Sequence, residues 1–508
     1  MPKYFKVKFL FFSTLILSLN AGALSESSQQ KISKELKKII SQSGIPEGHI
    51  GAFAANGDQI LINQNSNKKY IPASITKIVT AASALKHFPP GYKFKTTLVS
   101  AASSVNESLK GDLFLVGGGD PSFVSENMWF LVNAFLRNQI KKIEGDLVVD
   151  DSLFDQQRFD PSRQKERVDR AYDAPVGAMS FNWNSVNIFI RPGGKAGEPA
   201  QVTLDPANEY VQLKNLVKTT AGKTSVSADR EEDSQGPGDR IRVSGSIAVG
   251  SKEIVIYKNI TQPDLWSGYN LRSFLQQRGI TVTGKVRLGK APTSAKVLAE
   301  NESKPIQSIL ADMNKFSNNF VAEMFCKNIS AVNIFPEGNS EANEEEVSEK
   351  KELAQVAEPS VGRTQAPGTI ANGMKVLSRY LEGIGVGKGE FELVNPSGLT
   401  RQNKMTPESL WKVLNDMRSN FLYQPEFMSS LPIAGVDGTL RKRFKDSSGE
   451  RRVRAKTGFL TGVVSLAGYA GRRDGSEIPF VFIFNGSTDE AKVRSVFDKM
   501  AVALVEME

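Results

Sequence analysis

Ile71-Pro72-Ala73-Ser74-Ile75-Thr76-Lys77, followed by Ile78-Val79-Thr80-Ala81-Ala82, is the stretch around which the chain is organised. Pro72 signals a turn and the apolar run after Lys77 signals a buried helix. Residues three apart on a helix share a face, so Ser74 and Lys77 are neighbours at a helix start. Serine is a weak nucleophile until a neighbour takes its proton. A lysine does this only when neutral, and burial or a nearby cation makes it so. Ser74 is therefore read as a nucleophile and Lys77 as its base. Ser28/Lys31, Ser66/Lys69 and Ser348/Lys351 repeat the spacing, but in polar sequence that predicts exposed helix faces.

Two further groups follow in order. Ser317-Asn318-Asn319 opens a helical run through Phe320, Val321 and Met324, and Lys456-Thr457-Gly458 precedes a strand hairpin. Ser-x-Asn recurs at Ser104, Ser180 and Ser185, whereas Lys-Thr-Gly occurs once. The three together supply what an acyl-transfer site needs. Ser317 passes a proton onward, Asn319 orients a substrate amide, and Lys456 brings positive charge that also keeps Lys77 neutral. Gly458 lets a strand approach the substrate, and the backbone N–H groups of Ser74 and Phe459 are candidates for an oxyanion hole.

Composition narrows the alternatives. The chain has 508 residues, enough for two to three domains. It holds only His49 and His87, in no metal-ligand spacing, so no metal and no cofactor is expected, and a histidine-based triad is short of histidines. Cys326 is the single cysteine and reads as a small buried residue on a helix. The net charge of +9 comes without a dense basic run carrying aromatics, so no nucleic-acid partner is expected.

Residues 1–23 read as a cleaved signal peptide: Lys3, Lys6 and Lys8, an apolar core from Phe9 to Leu19, then Ala21-Gly22-Ala23. No later run is long enough for a transmembrane anchor. These features predict a periplasmic protein. Residues 24–92 and 288–508 read as one catalytic domain. Residues 93–287, with many short β-like runs between Gly/Pro/Asn turns, read as an inserted accessory region of two subdomains. Gly117-Gly118-Gly119-Asp120-Pro121 lacks the Lys-Ser/Thr ending of a phosphate loop and reads as a tight turn. Residues 336–368 form an acidic stretch centred on Glu344-Glu345-Glu346, read as a mobile surface insertion.

The order Ser-x-x-Lys, Ser-x-Asn, Lys-Thr-Gly resembles the signature set of penicillin-recognising serine enzymes. More closely, the chain resembles the class C low-molecular-mass penicillin-binding proteins, the D-alanyl-D-alanine carboxypeptidases/endopeptidases of the penicillin-binding protein 4 type. The shared stretches include Asp150–Asp155, Ala174-Pro175-Val176-Gly177-Ala178, Asn395-Pro396-Ser397-Gly398-Leu399-Thr400-Arg401, Leu431–Leu440 and Val464–Tyr469. The resemblance implies an α/β (α+β) fold: an antiparallel sheet flanked by helices, built from both chain ends, plus an all-α lobe. It implies peptidoglycan peptides as substrates and β-lactams as inhibitors. It also implies substrate-binding roles for Thr457, Gly458, Phe459, Arg401 and Tyr172. Two positions depart from the pattern. Phe459 stands where the group usually has Ser or Thr, and Arg167 stands where an acid precedes the aromatic, with Glu166 and Asp169 the nearby acids. A serine β-lactamase or esterase would use the same acylation residues, and an inactive envelope-binding protein would keep only the fold.

Overall fold

The structure is a computed structural model that describes residues 26–163, 169–231, 238–332 and 366–506. The signal-like segment and nearly all of the acidic stretch lie outside the described residues.

Both ends of the chain build one antiparallel sheet. Its strand order is Gln59–Gln64, Ile50–Asn56, Glu477–Asn485, Val463–Gly471, Val453–Leu460. The first two strands form a hairpin that turns at Gly57-Asp58, and Ile50–Asn56 then pairs with Glu477–Asn485. Side chains alternate between the faces of a strand, and here both faces are covered. Phe480, Phe482 and Phe484 enter the core shared with the helices Glu26–Gln42 and Glu490–Glu506. Val481 and Ile483 enter the opposite core, built with the helical lobe. Burying each phenylalanine contributes about 1.5–3 kcal/mol, so this strand fixes the sheet between its two helical layers.

The helical lobe wraps the nucleophile helix Lys77–His87, which is buried from Lys77 to Leu85. Around it pack Ile306–Lys315, Asn319–Val332, Ile370–Gly383 and Pro407–Ser419. Cys326 is buried in this core, as expected.

Between the nucleophile helix and Ile306–Lys315 lies a β-rich region with its own core. It contains a five-stranded and a four-stranded sheet, two three-stranded sheets, and the helices Ser125–Leu136 and Pro263–Gln277. The strand Lys296–Glu302 pairs with Lys95–Ser100. The inserted sheet therefore continues past residue 287, because the returning chain closes its edge before the helical lobe resumes.

Of the stretch Gly117–Pro121 the turn falls at its end, at Pro121-Ser122, and not at Gly117-Gly118-Gly119. The segment is a seam where backbones meet: a Cβ on Gly118 would lie 1.8 Å from the Lys95 carbonyl oxygen. One on Gly119 would lie 2.2 Å from Asn328 Oδ1. Asn328 Nδ2 donates to the Gly119 carbonyl at 2.8 Å, which joins the seam to the helix Asn319–Val332. No helix among the described residues is long and apolar enough to cross a membrane.

Candidate active site

Ser74 sits in a single 3-10 turn, Ala73–Thr76, and the α-helix begins at Lys77. Ala73, just before the serine, has φ 52°. A left-handed non-glycine residue is strained, and such strain concentrates at functional sites. Ser317, with φ 56°, is a second example. The main chain thus bends sharply at both serines.

Four elements bring the predicted residues together. Lys77 Nζ lies 3.1 Å from Ser74 Oγ and 2.7 Å from Asn319 Oδ1. It also donates to the Ser397 carbonyl oxygen at 2.6 Å. Lys456 Nζ donates to Ser317 Oγ and to the Thr457 carbonyl, both at 2.8 Å. Gly458 carries the strand against the nucleophile turn: a Cβ there would lie 3.1 Å from the Ser74 amide nitrogen and 2.7 Å from the Pro72 carbonyl. Only a residue without a side chain fits this approach.

Both lysines are fully buried. Burial holds the Lys77 amine well below the usual lysine range, and the charge of Lys456 pushes it further down. Glu323 opposes this and Arg163 adds to it. Burial brings Lys456 down to about 7. Lys77 is therefore suited to accept a proton, and Lys456 is the member of the pair that holds positive charge more readily.

The three pairs Ser28/Lys31, Ser66/Lys69 and Ser348/Lys351 do not share these surroundings among the described residues. Ser66 is buried rather than exposed, because its hydroxyl donates to Glu408 Oε2 at 3.3 Å inside the fold. Its lysine points elsewhere, pairing with Glu392 at 2.7 Å. Lys31 is exposed, and Ser348/Lys351 lies outside the described residues.

Among the expected substrate-binding residues, Thr457 Oγ1 meets Thr439 Oγ1 at 2.8 Å. Phe459 is half exposed, with the Arg494 guanidinium 5.2 Å from its ring centre. Arg401 donates to the Thr461 carbonyl at 2.6 Å, so its side chain runs toward the end of the Lys456 strand. Tyr172 is exposed, and its carbonyl accepts from Asn319 Nδ2 at 3.2 Å. Of the nearby acids, Asp169 is engaged by Lys258 at 2.5 Å; Glu166 and Arg167 lie outside the described residues.

Ser397 carried no role in the sequence reading, although Asn395-Pro396-Ser397-Gly398 has a turn-like composition. Asn395 Oδ1 accepts from the Ser397 amide, the Ser397 hydroxyl and the Gly398 amide. This fixes the loop that presents the Ser397 carbonyl to Lys77. Thr439, inside the shared stretch Leu431–Leu440, and Arg163 also had no role assigned from the sequence.

A sequence model of the D-Ala-D-Ala carboxypeptidase 3 (S13) family matches residues 32–357 and 346–507. The chain belongs to this family. It is a serine-type D-alanyl-D-alanine carboxypeptidase of the penicillin-binding protein 4 type. The D-alanyl-D-alanine carboxypeptidase of Actinomadura sp. strain R39 is 29% identical over 479 residues, covering 91% of this chain and 82% of that protein. The carboxypeptidase DacB of Haemophilus influenzae is 26% identical over 447 residues, covering 87% and 86%. The crystal structure of H. influenzae penicillin-binding protein 4 superposes with a TM-score of 0.72 at 25% identity, over 93% of this chain and 98% of that one. A second structure of that protein, complexed with a β-lactam, gives 0.68 at 25% identity, over 92% and 98%. This S13 member therefore has the fold and the reaction class that its motifs imply.

Proposed function

We propose that this enzyme removes the terminal D-alanine from peptidoglycan stem peptides through a Ser74 acyl-enzyme. The observation that carries the reading is two hydrogen-bonded groups at one helix start: Lys77 with Ser74 and Asn319, and Lys456 with Ser317, two residues before Asn319. Ser74 Oγ attacks the carbonyl carbon of the penultimate D-alanine as its proton passes to Lys77 Nζ. The N–H groups of Ser74 and Phe459 stabilise the oxyanion. The intermediate collapses, the C–N bond breaks, and the proton reaches the departing amine by way of the Ser317 hydroxyl. Water then attacks the ester; Lys77 takes its proton and returns one to Ser74 Oγ, releasing the shortened peptide.

Asn319 orients the acyl-side amide, while Lys456 and Thr457 hold the terminal carboxylate. Gly458 allows the close approach, and Phe459, Arg401 and Tyr172 line the peptide-binding surface. Crosslinks ending in the same D-alanyl bond are a second substrate, which makes the enzyme an endopeptidase as well. β-Lactams acylate Ser74. Residues 1–23 direct export to the periplasm, and the chain before Tyr92 together with the chain after Glu302 forms the catalytic domain around the insertion.

Mass spectrometry of monomeric and crosslinked muropeptides after incubation with the mature enzyme tests this. Loss of one D-alanine from the monomer is expected. Intact muropeptides from an enzyme that penicillin labels would overturn the substrate assignment. Fast release of the penicillin adduct would point instead to a β-lactamase.

A further inference from the structure

A groove of about 640 Å³ runs from Ser317 and Asn319 out onto the inserted region. Its volume is within the about 300–1,000 Å³ of sites that enclose small ligands. The catalytic steps above use only its inner end.

The outer wall is built by one row of a three-stranded sheet. Asn187 on Ser185–Arg191 is paired with Asp205 on Gln201–Asp205 and with Tyr257 on Ile254–Asn259. Directly opposed residues of antiparallel strands share a face, so amide, carboxylate and phenol stand side by side, and all three line the groove. Tyr257 is 54% exposed.

Trp183 completes the wall, 44% exposed. It is held there against its own backbone preference: Asn182, Trp183 and Asn184 have φ of 50°, 51° and 51°. Asparagine tolerates this region, but tryptophan does so at a cost. The turn is locked on both sides. Asn182 Oδ1 accepts from the Ser125 amide at 3.0 Å, and Asn184 Nδ2 donates to the Pro175 carbonyl at 2.8 Å. The fold thus keeps a strained turn that leaves a large indole half in solvent rather than in the adjacent core, a pattern that points to a ligand.

The chemistry of the wall narrows the ligand. On this wall Trp183 and Tyr257 offer apolar faces with polar edges, and Tyr172 and Phe316, also exposed, line the groove nearer Ser317. Asn187, Asp205 and Glu126 offer acceptors and an amide donor. No lysine or arginine lines the groove among the described residues, and its acids disfavour an anion. A neutral ligand with flat C–H faces and a rim of hydroxyl and acetamido groups fits: a pyranose amino sugar. We infer that the groove binds the amino-sugar residues to which a stem peptide is attached, so that the enzyme reads the saccharide as well as the peptide. The inference rests on the proposed peptidoglycan reading, and continuity with Ser317 and Asn319 places the sugar on the same substrate molecule.

The test compares kcat/KM for a disaccharide-linked pentapeptide with that for the same pentapeptide free of sugar. Wild type should prefer the glycosylated form by tenfold or more. Trp183→Ala should lower that preference at least fivefold, and Trp183→Phe should keep most of it. Tyr257→Ala, on another element, should act in the same direction and covers the case in which Trp183→Ala fails to fold. Equal wild-type rates on the two substrates would overturn the saccharide site and leave the carboxypeptidase reading standing. So would equal losses on both substrates in the variants, which would show that the groove holds peptide. Turnover of neither substrate would overturn both readings.

Discussion

Lys456 Nζ and Ser317 Oγ stand 2.8 Å apart, which joins the last strand of the sheet to the turn that opens the helix Asn319–Val332. The contact places a second buried amine close to Lys77, whose proton affinity it lowers. The sign follows directly. Lys77 is inactive as a base when protonated and active when neutral, so acylation rises as pH rises through its depressed pKa. Lys456→Ala removes a neighbouring positive charge, so the Lys77 pKa should rise and the acid limb should move to higher pH. Lys456→Arg should keep the limb near its place and retain part of the activity. Lys77→Arg should cut acylation by at least about a hundredfold, because arginine gives up no proton at working pH. The pH profiles of penicillin acylation for these variants check the assignment. An unshifted Lys456→Ala profile would show that the two amines play other parts.

The same pair predicts a second limb. Burial brings Lys456 to about 7, so in the free enzyme its charge is lost as pH rises through that region. A substrate with a C-terminal carboxylate should lose kcat/KM there, and a C-terminal amide or ester should not. The two limbs belong to the coupled pair rather than to either lysine alone. Parallel profiles for the two substrate types would mean that Lys456 does not meet the carboxylate.

Penicillin should modify Ser74 alone. Ser66 is more buried than Ser74, but its hydroxyl is engaged by Glu408 and its lysine by Glu392. Peptide mapping after labelling should find one adduct, and Ser74→Ala should abolish it. An adduct on Ser66 would mean that burial, not the paired amine, selects the nucleophile.

Much of this site could be read from the sequence because its chemistry is local. Ser74 with Lys77, Ser317 with Asn319, and Lys456 with Gly458 each occupy one short segment whose spacing fixes a shared face or a close approach. What could not be read depends on distant segments. The Ser397 carbonyl reaches Lys77 across 320 positions of sequence, and no local pattern marks it. Gly117–Gly119 looked like a turn because its partners, Lys95 and Asn328, lie elsewhere in the chain. The insertion boundary moved for the same reason, since the pairing of Lys296–Glu302 with Lys95–Ser100 is non-local. Ser66 was expected at the surface because polar composition reports the average environment of a segment, not of one hydroxyl.

Gly398 offers a direct test of the loop that holds Lys77. Its φ is +74°, and a Cβ would lie 2.0 Å from the Ala73 carbonyl. Gly398→Ala must therefore move the loop or the nucleophile turn. A cost of about 1–3 kcal/mol in stability is expected, together with at least a tenfold loss in the acylation rate constant. Thermal unfolding and acylation kinetics measure the two effects. Wild-type acylation in a destabilised variant would show that the Ser397 carbonyl is not needed to position Lys77.

Lys327 tests how the inserted region is held to the helix that follows Ser317. It lies on Asn319–Val332, fully buried, and its amine donates to Asp155 Oδ1 at 2.5 Å and to the Gln157 carbonyl at 2.7 Å. Burial lowers its pKa although Asp155 pulls the other way, so the pair is a desolvated one rather than a surface bridge. Lys327→Met keeps the length of the side chain and leaves the Gln157 carbonyl without its donor, at a cost of about 1–3 kcal/mol. Asp155→Asn leaves a charged amine less well matched in the same place. A double-mutant cycle on thermal stability should give a coupling of about 0.5–3 kcal/mol. Acylation by penicillin should fall less than tenfold in Lys327→Met, because Lys327 touches neither Ser317 nor Asn319. Strict additivity would mean that the Asp155 contact does not hold the two regions together, a task then left to other contacts such as Asn328 with the Gly119 carbonyl and Phe154 in the helical core.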